Sequence, residues 1–164
     1  MRIALAFALL LVSHLAYAQT PQVTRVDVTE YGIYTADLVK AEPAPGSPAG
    51  TEKILTHMRL AAQTRTIPGA KGISFGYRFV LVGSPAGAIA PLHVVTIFPA
   101  AMTNPATHQS STRSEGDIGL SIGAIGYAGY SIDNDWEVLP GVWTFQIWFQ
   151  GRKLAEQSFT VQKQ

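Results

Sequence analysis

Cysteine is absent from all 164 residues. That excludes disulfides, thiol catalysis, thiolate zinc sites and iron–sulfur clusters together. Charge is scarce, at 14% of residues, and the two signs nearly balance, with 12 Lys+Arg against 11 Asp+Glu. A basic surplus of the kind that nucleic acid requires is missing, and so is any polybasic run suited to an anionic membrane surface. Long apolar runs are lacking too. The longest, Ile3 to Val12, covers about ten residues, where a spanning helix needs ~20. No segment recurs at a fixed period, which argues against a propeller or solenoid.

The short apolar run belongs to an address. Arg2 supplies a positive start, and Ala16-Tyr17-Ala18 places small residues before Gln19. The pattern is that of a secretory signal peptide cleaved near Ala18. The mature chain then runs from Gln19 to Gln164 as one domain, periplasmic or secreted, with no transmembrane segment. Without cysteine, its stability must come from an apolar core.

Residue alternation points to strands. In Val142 to Gln150, Trp143, Phe145, Ile147 and Phe149 fall on one face, and Thr144, Gln146, Trp148 and Gln150 on the other. That is the period of a half-buried strand. Burying the four inward groups contributes ~6–12 kcal/mol before entropy, at about 1.5–3 each. Gly151-Arg152 is expected as a two-residue turn, with Phe159 and Val161 returning inward. Further strands are expected at Val23 to Asp37, bent at Gly32, at Ile73 to Gly83, and at Leu92 to Phe98. Ile118 to Ile132 reads as one bent, glycine-rich strand, and Pro99 to Ser114 as a long surface loop. Ala41 to Gly50, with three Pro and two Gly, reads as a loop. Met58 to Thr66 is expected as a strand. Ile54, Leu55, Met58, Ala61 and Ala62 also fit a helical face capped by Thr51, so the first half stays open between helix and strand. Seven to eight strands with turns between them and at most one short helix describe an all-β sandwich.

Three stretches carry a resemblance: Tyr31-Gly32-Ile33-Tyr34; Ile67-Pro68 with Gly72 and Phe75-Gly76; and Pro140 to Phe145 with Gly151 to Leu154. Together they resemble the bacterial family called domain of unknown function 3859. The resemblance implies an exported or envelope β-domain of immunoglobulin-like form, with no established activity and no catalytic residues to carry over.

Motifs with chemistry are thin. Gly72-Ile73-Ser74-Phe75-Gly76 and Gly119-Leu120-Ser121-Ile122-Gly123 match G-x-S-x-G, but neither serine precedes a helix pattern and no histidine follows Ser121. His57 and His93 fall in expected strands and are metal-ligand candidates with Asp133 and Asp135, while His108 falls in a loop. No histidine pair has i, i+4 or H-E-x-x-H spacing. Asp133, Asp135 and Glu137 alternate, but an EF-hand glycine is missing where Val138 stands. No cofactor is expected. The outward aromatics carry the binding expectation: Trp148, with Trp136, Tyr130 and Arg152, is the candidate surface for a protein or envelope component. Two other readings stand beside this binding module. One is a small hydrolytic or metal-dependent enzyme using His57 and His93. The other is a chaperone-like module that pairs through edge strands.

Overall fold

The computed structural model describes residues 20–163, so the expected signal segment, Met1 to Ala18, lies outside the described residues. Nine strands follow in order: β1 (Gln22–Pro43), β2 (Thr51–Ala62), β3 (Thr66–Ile67), β4 (Ser74–Ser84), β5 (Ile89–Thr103), β6 (Ser110–Ser121), β7 (Ile125–Ser131), β8 (Gly141–Phe149) and β9 (Arg152–Val161). One turn of 3-10 helix, Asp135–Glu137, separates β7 from β8. The strands form two sheets, in the orders β2-β1-β4-β7 and β3-β9-β8-β5-β6. The fold is an all-β sandwich. Among the described residues no helix is long and apolar enough to cross a membrane.

The core sits where alternation placed it. Phe75, Tyr77, Phe79 and Leu81 of β4 face Trp143, Phe145 and Ile147 of β8, and all seven are fully buried. Phe75 stands edge-on to Trp143, Phe145 and Phe159 at 5.5–5.8 Å between centroids. Each such pair adds ~0.5–1.5 kcal/mol beyond its buried area. The Trp143 indole N–H donates to the Leu139 carbonyl at 2.9 Å, so the largest core side chain keeps its polar atom satisfied.

Two arginines stitch one long side of the sandwich. Arg152, at the start of β9, donates to the Val23 and Thr24 carbonyls of β1. Arg65 donates to the Ser158 carbonyl and lies over the Tyr31 ring at 4.2 Å. The opposite long side lies between the edge strands β6 and β7, and no ladder closes it.

Several sequence expectations need correction. Thr51 to Ala62 is strand throughout, paired with β1 from Ile33↔Ala62 to Pro43↔Thr51, so the helical alternative fails. Its apolar face at helical spacing is overridden by that pairing. The loop expected from Pro99 to Ser114 shrinks to residues 104–109, because Met102 pairs with Ser111 and Thr103 with Ser110. Ile118 to Ile132 is two strands in different sheets, divided at residues 122–124. The closing turn is Gln150-Gly151, not Gly151-Arg152. Its φ values, 49° and 76°, are both positive, the pattern of the mirror-image turn whose twist matches a hairpin.

The first hairpin outgrows its sheet. β1 pairs with β4 only as far as Tyr34↔Ser74. Beyond Tyr34, β1 pairs with β2 alone, leaving a two-stranded arm over residues 35–59. A free two-stranded ribbon is marginal in water, so the arm needs contacts elsewhere. It finds them across the open side. Lys53 pairs with Asp133, and the Asn104 side-chain amide donates to the Pro48 carbonyl at 3.1 Å.

Candidate functional site

The short link between β6 and β7 builds the site. Consecutive antiparallel strands with so tight a connection usually form a hairpin. Here the chain changes sheets within the link. The Ile122 N–H donates to Ala88 beside β5, whereas the Gly123 N–H donates to Leu81 of β4. Close to the link the two strands touch, and Leu120 fills the space that a side chain on Gly126 would take. Farther along, at Ser114–Ile118 and Tyr127–Ser131, they flank a cleft of about 760 Å³. The arm supplies another wall through residues 43–58, and Val94 and Thr96 of β5 also line the cleft.

Both strand edges turn main-chain groups toward this space. The Ile132 N–H donates to the Ile73 carbonyl at one end of the β4–β7 ladder, and the Leu81 N–H donates to the Ala124 carbonyl at the other. In an antiparallel ladder the bonded residues alternate. Ala128 and Tyr130 therefore bond to β4, while Tyr127, Gly129 and Ser131 direct their amides and carbonyls off the edge. On β6, the Ile122–Ala88 bond fixes the same alternation, so Glu115 and Asp117 direct theirs away from β5. Gly46 of the arm lies against the Glu115 carbonyl. No backbone hydrogen bond reaches the free edge of β7 from the arm among the described residues.

The Tyr127 hydroxyl is buried and has no hydrogen-bond partner among the described residues. It lies over Gly129, where a Cβ would collide with it. Burial pushes its ionisation up, as it does for Tyr130, where the negative charges of Glu137 and Asp133 add to the effect. Burial likewise raises Tyr34 to about 12. The charged residues along the cleft are mostly acidic: Glu115, Asp117, Asp133 and Glu137 against Lys53. Glu137, only 1% exposed, accepts from the Asp133 and Asn134 amides and from the Asn134 side chain, so it organises the turn and is not free for chemistry.

The outward residues singled out from sequence fall in separate places. Trp148 stands on the outer face of the five-stranded sheet, half-buried. Its indole N–H donates to Gln146 at 2.9 Å, and the Lys153 ammonium is 5.9 Å from its ring centroid. Strand register sets it in a row with Lys153, His93 and Asp117 across four strands. Arg152 is occupied by its bonds to β1. Tyr130 turns inward, with its ring 5.0 Å from Trp143 and its hydroxyl on the Met102 sulfur. Trp136 packs against the core from the 3-10 turn. These four do not share one surface.

The histidines also stay apart. His57, on the arm, faces Asp37 at 3.1 Å. His93 lies between Asp117, at 2.8 Å from Nδ1, and Glu115, at 3.7 Å from Nε2. Asp133 is engaged by Lys53, and Asp135 opens the 3-10 turn. Among the described residues no three metal-ligating side chains converge. The Ser74 hydroxyl bonds to the Ser131 hydroxyl at 2.7 Å. The cleft is not legible in the sequence, because Ile118 to Ile132 alternates like one strand. The available signal was Ile122-Gly123-Ala124, a turn-sized break between two alternating runs.

Comparison with known proteins agrees with the architecture. No curated protein matches the sequence significantly. The chain is similar to a crystal structure of an immunoglobulin-like protein from Pseudomonas aeruginosa, with 24% identity and a TM-score of 0.62, over 85% of this chain and 98% of that one. At that identity the likeness shows the fold alone. The model of the family described as domain of unknown function 3859 matches residues 22–161, nearly all of the described chain. The protein therefore belongs to the domain of unknown function 3859 family.

Proposed function

We propose that this protein is an exported binding module whose site is the cleft between β6 and β7 beneath the arm. The observation that carries the reading is the cleft's lining. Its volume falls within the ~300–1,000 Å³ range of ligand sites. Unpaired main-chain groups of Tyr127, Gly129 and Ser131 lie along it, and polar main-chain groups ordinarily have partners. An occupant that satisfied them would gain more than one resting on a flat surface. Export rests on the three-part pattern of residues 1–18.

The outer face around Trp148 is the second reading. The row Lys153, Trp148, His93 and Asp117 sets an aromatic ring among charges, as partner surfaces do. One experiment separates the two. The mature chain is immobilised and exposed to an envelope extract, beside a variant with a filled cleft (Thr96→Trp) and a variant with a bare outer face (Trp148→Ala). Circular dichroism first establishes that both variants are folded. Retention of a component by the wild type and by Trp148→Ala, but not by Thr96→Trp, supports the cleft. Equal retention by wild type and Thr96→Trp contradicts it.

A further inference from the structure

We infer that the occupant of the cleft is an extended polypeptide segment that adds to the free edge of β7 as a further strand, with basic side chains toward the acidic rim. The inference rests on the cleft being the binding site and names what fills it.

The main chain decides the class of occupant. Tyr127, Gly129 and Ser131 present a donor and an acceptor each, at every second residue of β7. Alternate residues of a strand lie about 6.6 Å apart, the repeat at which another strand presents its own groups. An apolar lipid would leave these groups unpaired, and a compact ion would reach one of them. A strand reaches all three. The stretch Tyr127–Ser131 spans about 13 Å of extended chain, so five residues of a partner fill it.

The side chains of β7 agree with a close neighbour. Gly129 and Ser131 are small, so an incoming backbone meets little obstruction beside them. On the inner side the added strand would meet Val94, Thr96 and Ala128, which suits apolar residues at alternate positions. The charged residues along the cleft outside the buried Glu137 are Glu115, Asp117 and Asp133 against Lys53, a net acidic lining that suits lysine or arginine at the rim. Glu115 is shared with Arg113, and Asp117 with His93, so the attraction is partial and salt-sensitive. Gly46 against the Glu115 carbonyl leaves β6 the more covered of the two edges, which is why β7 is the one assigned.

The test uses a synthetic probe and the mature chain. The peptide acetyl-Lys-Val-Lys-Val-Lys-Val-Lys-amide is titrated by isothermal calorimetry at low salt. Beside it run a peptide with glutamate in place of lysine and a version N-methylated throughout its central five residues. The expected result is saturable binding of the lysine peptide. The glutamate and N-methylated peptides should each bind at least about tenfold more weakly, since one to two hydrogen bonds or ion pairs are worth that factor. Ser131→Pro removes one edge donor and should weaken binding about fivefold or more relative to Ser131→Ala, which loses the same hydroxyl but keeps the amide. Should Ser131→Pro fail to fold, the peptide series alone decides. Equal binding of the N-methylated peptide overturns strand pairing, and equal binding of the glutamate peptide overturns the basic partner. No binding of any peptide at millimolar concentration overturns the inference. If retention from the envelope extract still depends on an unfilled cleft, the broader reading survives that result.

Discussion

Lys53, near the start of the arm's returning strand, pairs with Asp133, just past the end of β7. The pair fastens the arm beside the free edge that it partly roofs. Both side chains are about one-third exposed, so the pair is worth at most about 1 kcal/mol. A tie of that strength holds the arm without locking it.

Lys53→Ala should therefore loosen the arm and leave the sandwich intact. Limited proteolysis within residues 44–50 should speed up several-fold, while the thermal midpoint moves by only a few degrees. Unchanged proteolysis would mean that the Asn104–Pro48 bond suffices to hold the arm.

Glu137 is the most deeply buried carboxylate among the described residues. Glu137→Ala strands the Asp133 and Asn134 amides and should cost about 2–4 kcal/mol in urea unfolding. Glu137→Gln keeps one accepting oxygen and should cost less. A loss under 1 kcal/mol for the alanine variant would contradict the role assigned to this side chain.

The two tryptophans of β8 should separate core from surface. Trp143→Ala empties the centre of the aromatic cluster and should cost about 3–5 kcal/mol. Trp148→Ala, half-buried on the outer face, should cost about 1–2 kcal/mol. Equal losses by chemical denaturation would show that Trp148 is as structural as Trp143.

Alkaline pH should unfold the protein through its tyrosines. Burial raises Tyr34 to about 12 and pushes Tyr77, Tyr127 and Tyr130 up as well. An unfolded tyrosine ionises near 10. Stability from these groups is whole below about pH 10 and falls as pH rises, because the unfolded chain releases the protons first. Absorbance near 295 nm should show these tyrosines ionising together with the loss of structure, rather than near pH 10 in the folded state.

Sequence alternation made the core legible because large residues leave a plain period-two signal. Phe75 to Leu81 and Trp143 to Phe149 both pack as expected. Features set by the pairing of distant residues were not legible. Ile54, Leu55 and Met58 fit a helix face as well as a strand until β1 fixes their register. Ile118 to Ile132 reads as one strand, because nothing local says that Ile122 bonds to one sheet and Gly123 to the other. That change of sheet opens the cleft, so the site lies where the sequence pattern shows a single bent element. Trp148 falls on the polar face as its alternation indicates, but Tyr130, in the other sheet, turns inward to Trp143. A residue's side of a strand follows from sequence only once the strand's limits are right.

The most direct test is residue-resolved amide hydrogen exchange along β7, free and with the lysine–valine peptide. In the free protein the amides of Tyr127, Gly129 and Ser131 should exchange quickly, while those of Ala128 and Tyr130 are protected by β4. With the peptide bound, the three fast amides should slow at least tenfold and Ala128 and Tyr130 should change little. Unaltered fast exchange at Tyr127, Gly129 and Ser131 in a saturated complex would contradict strand addition at this edge.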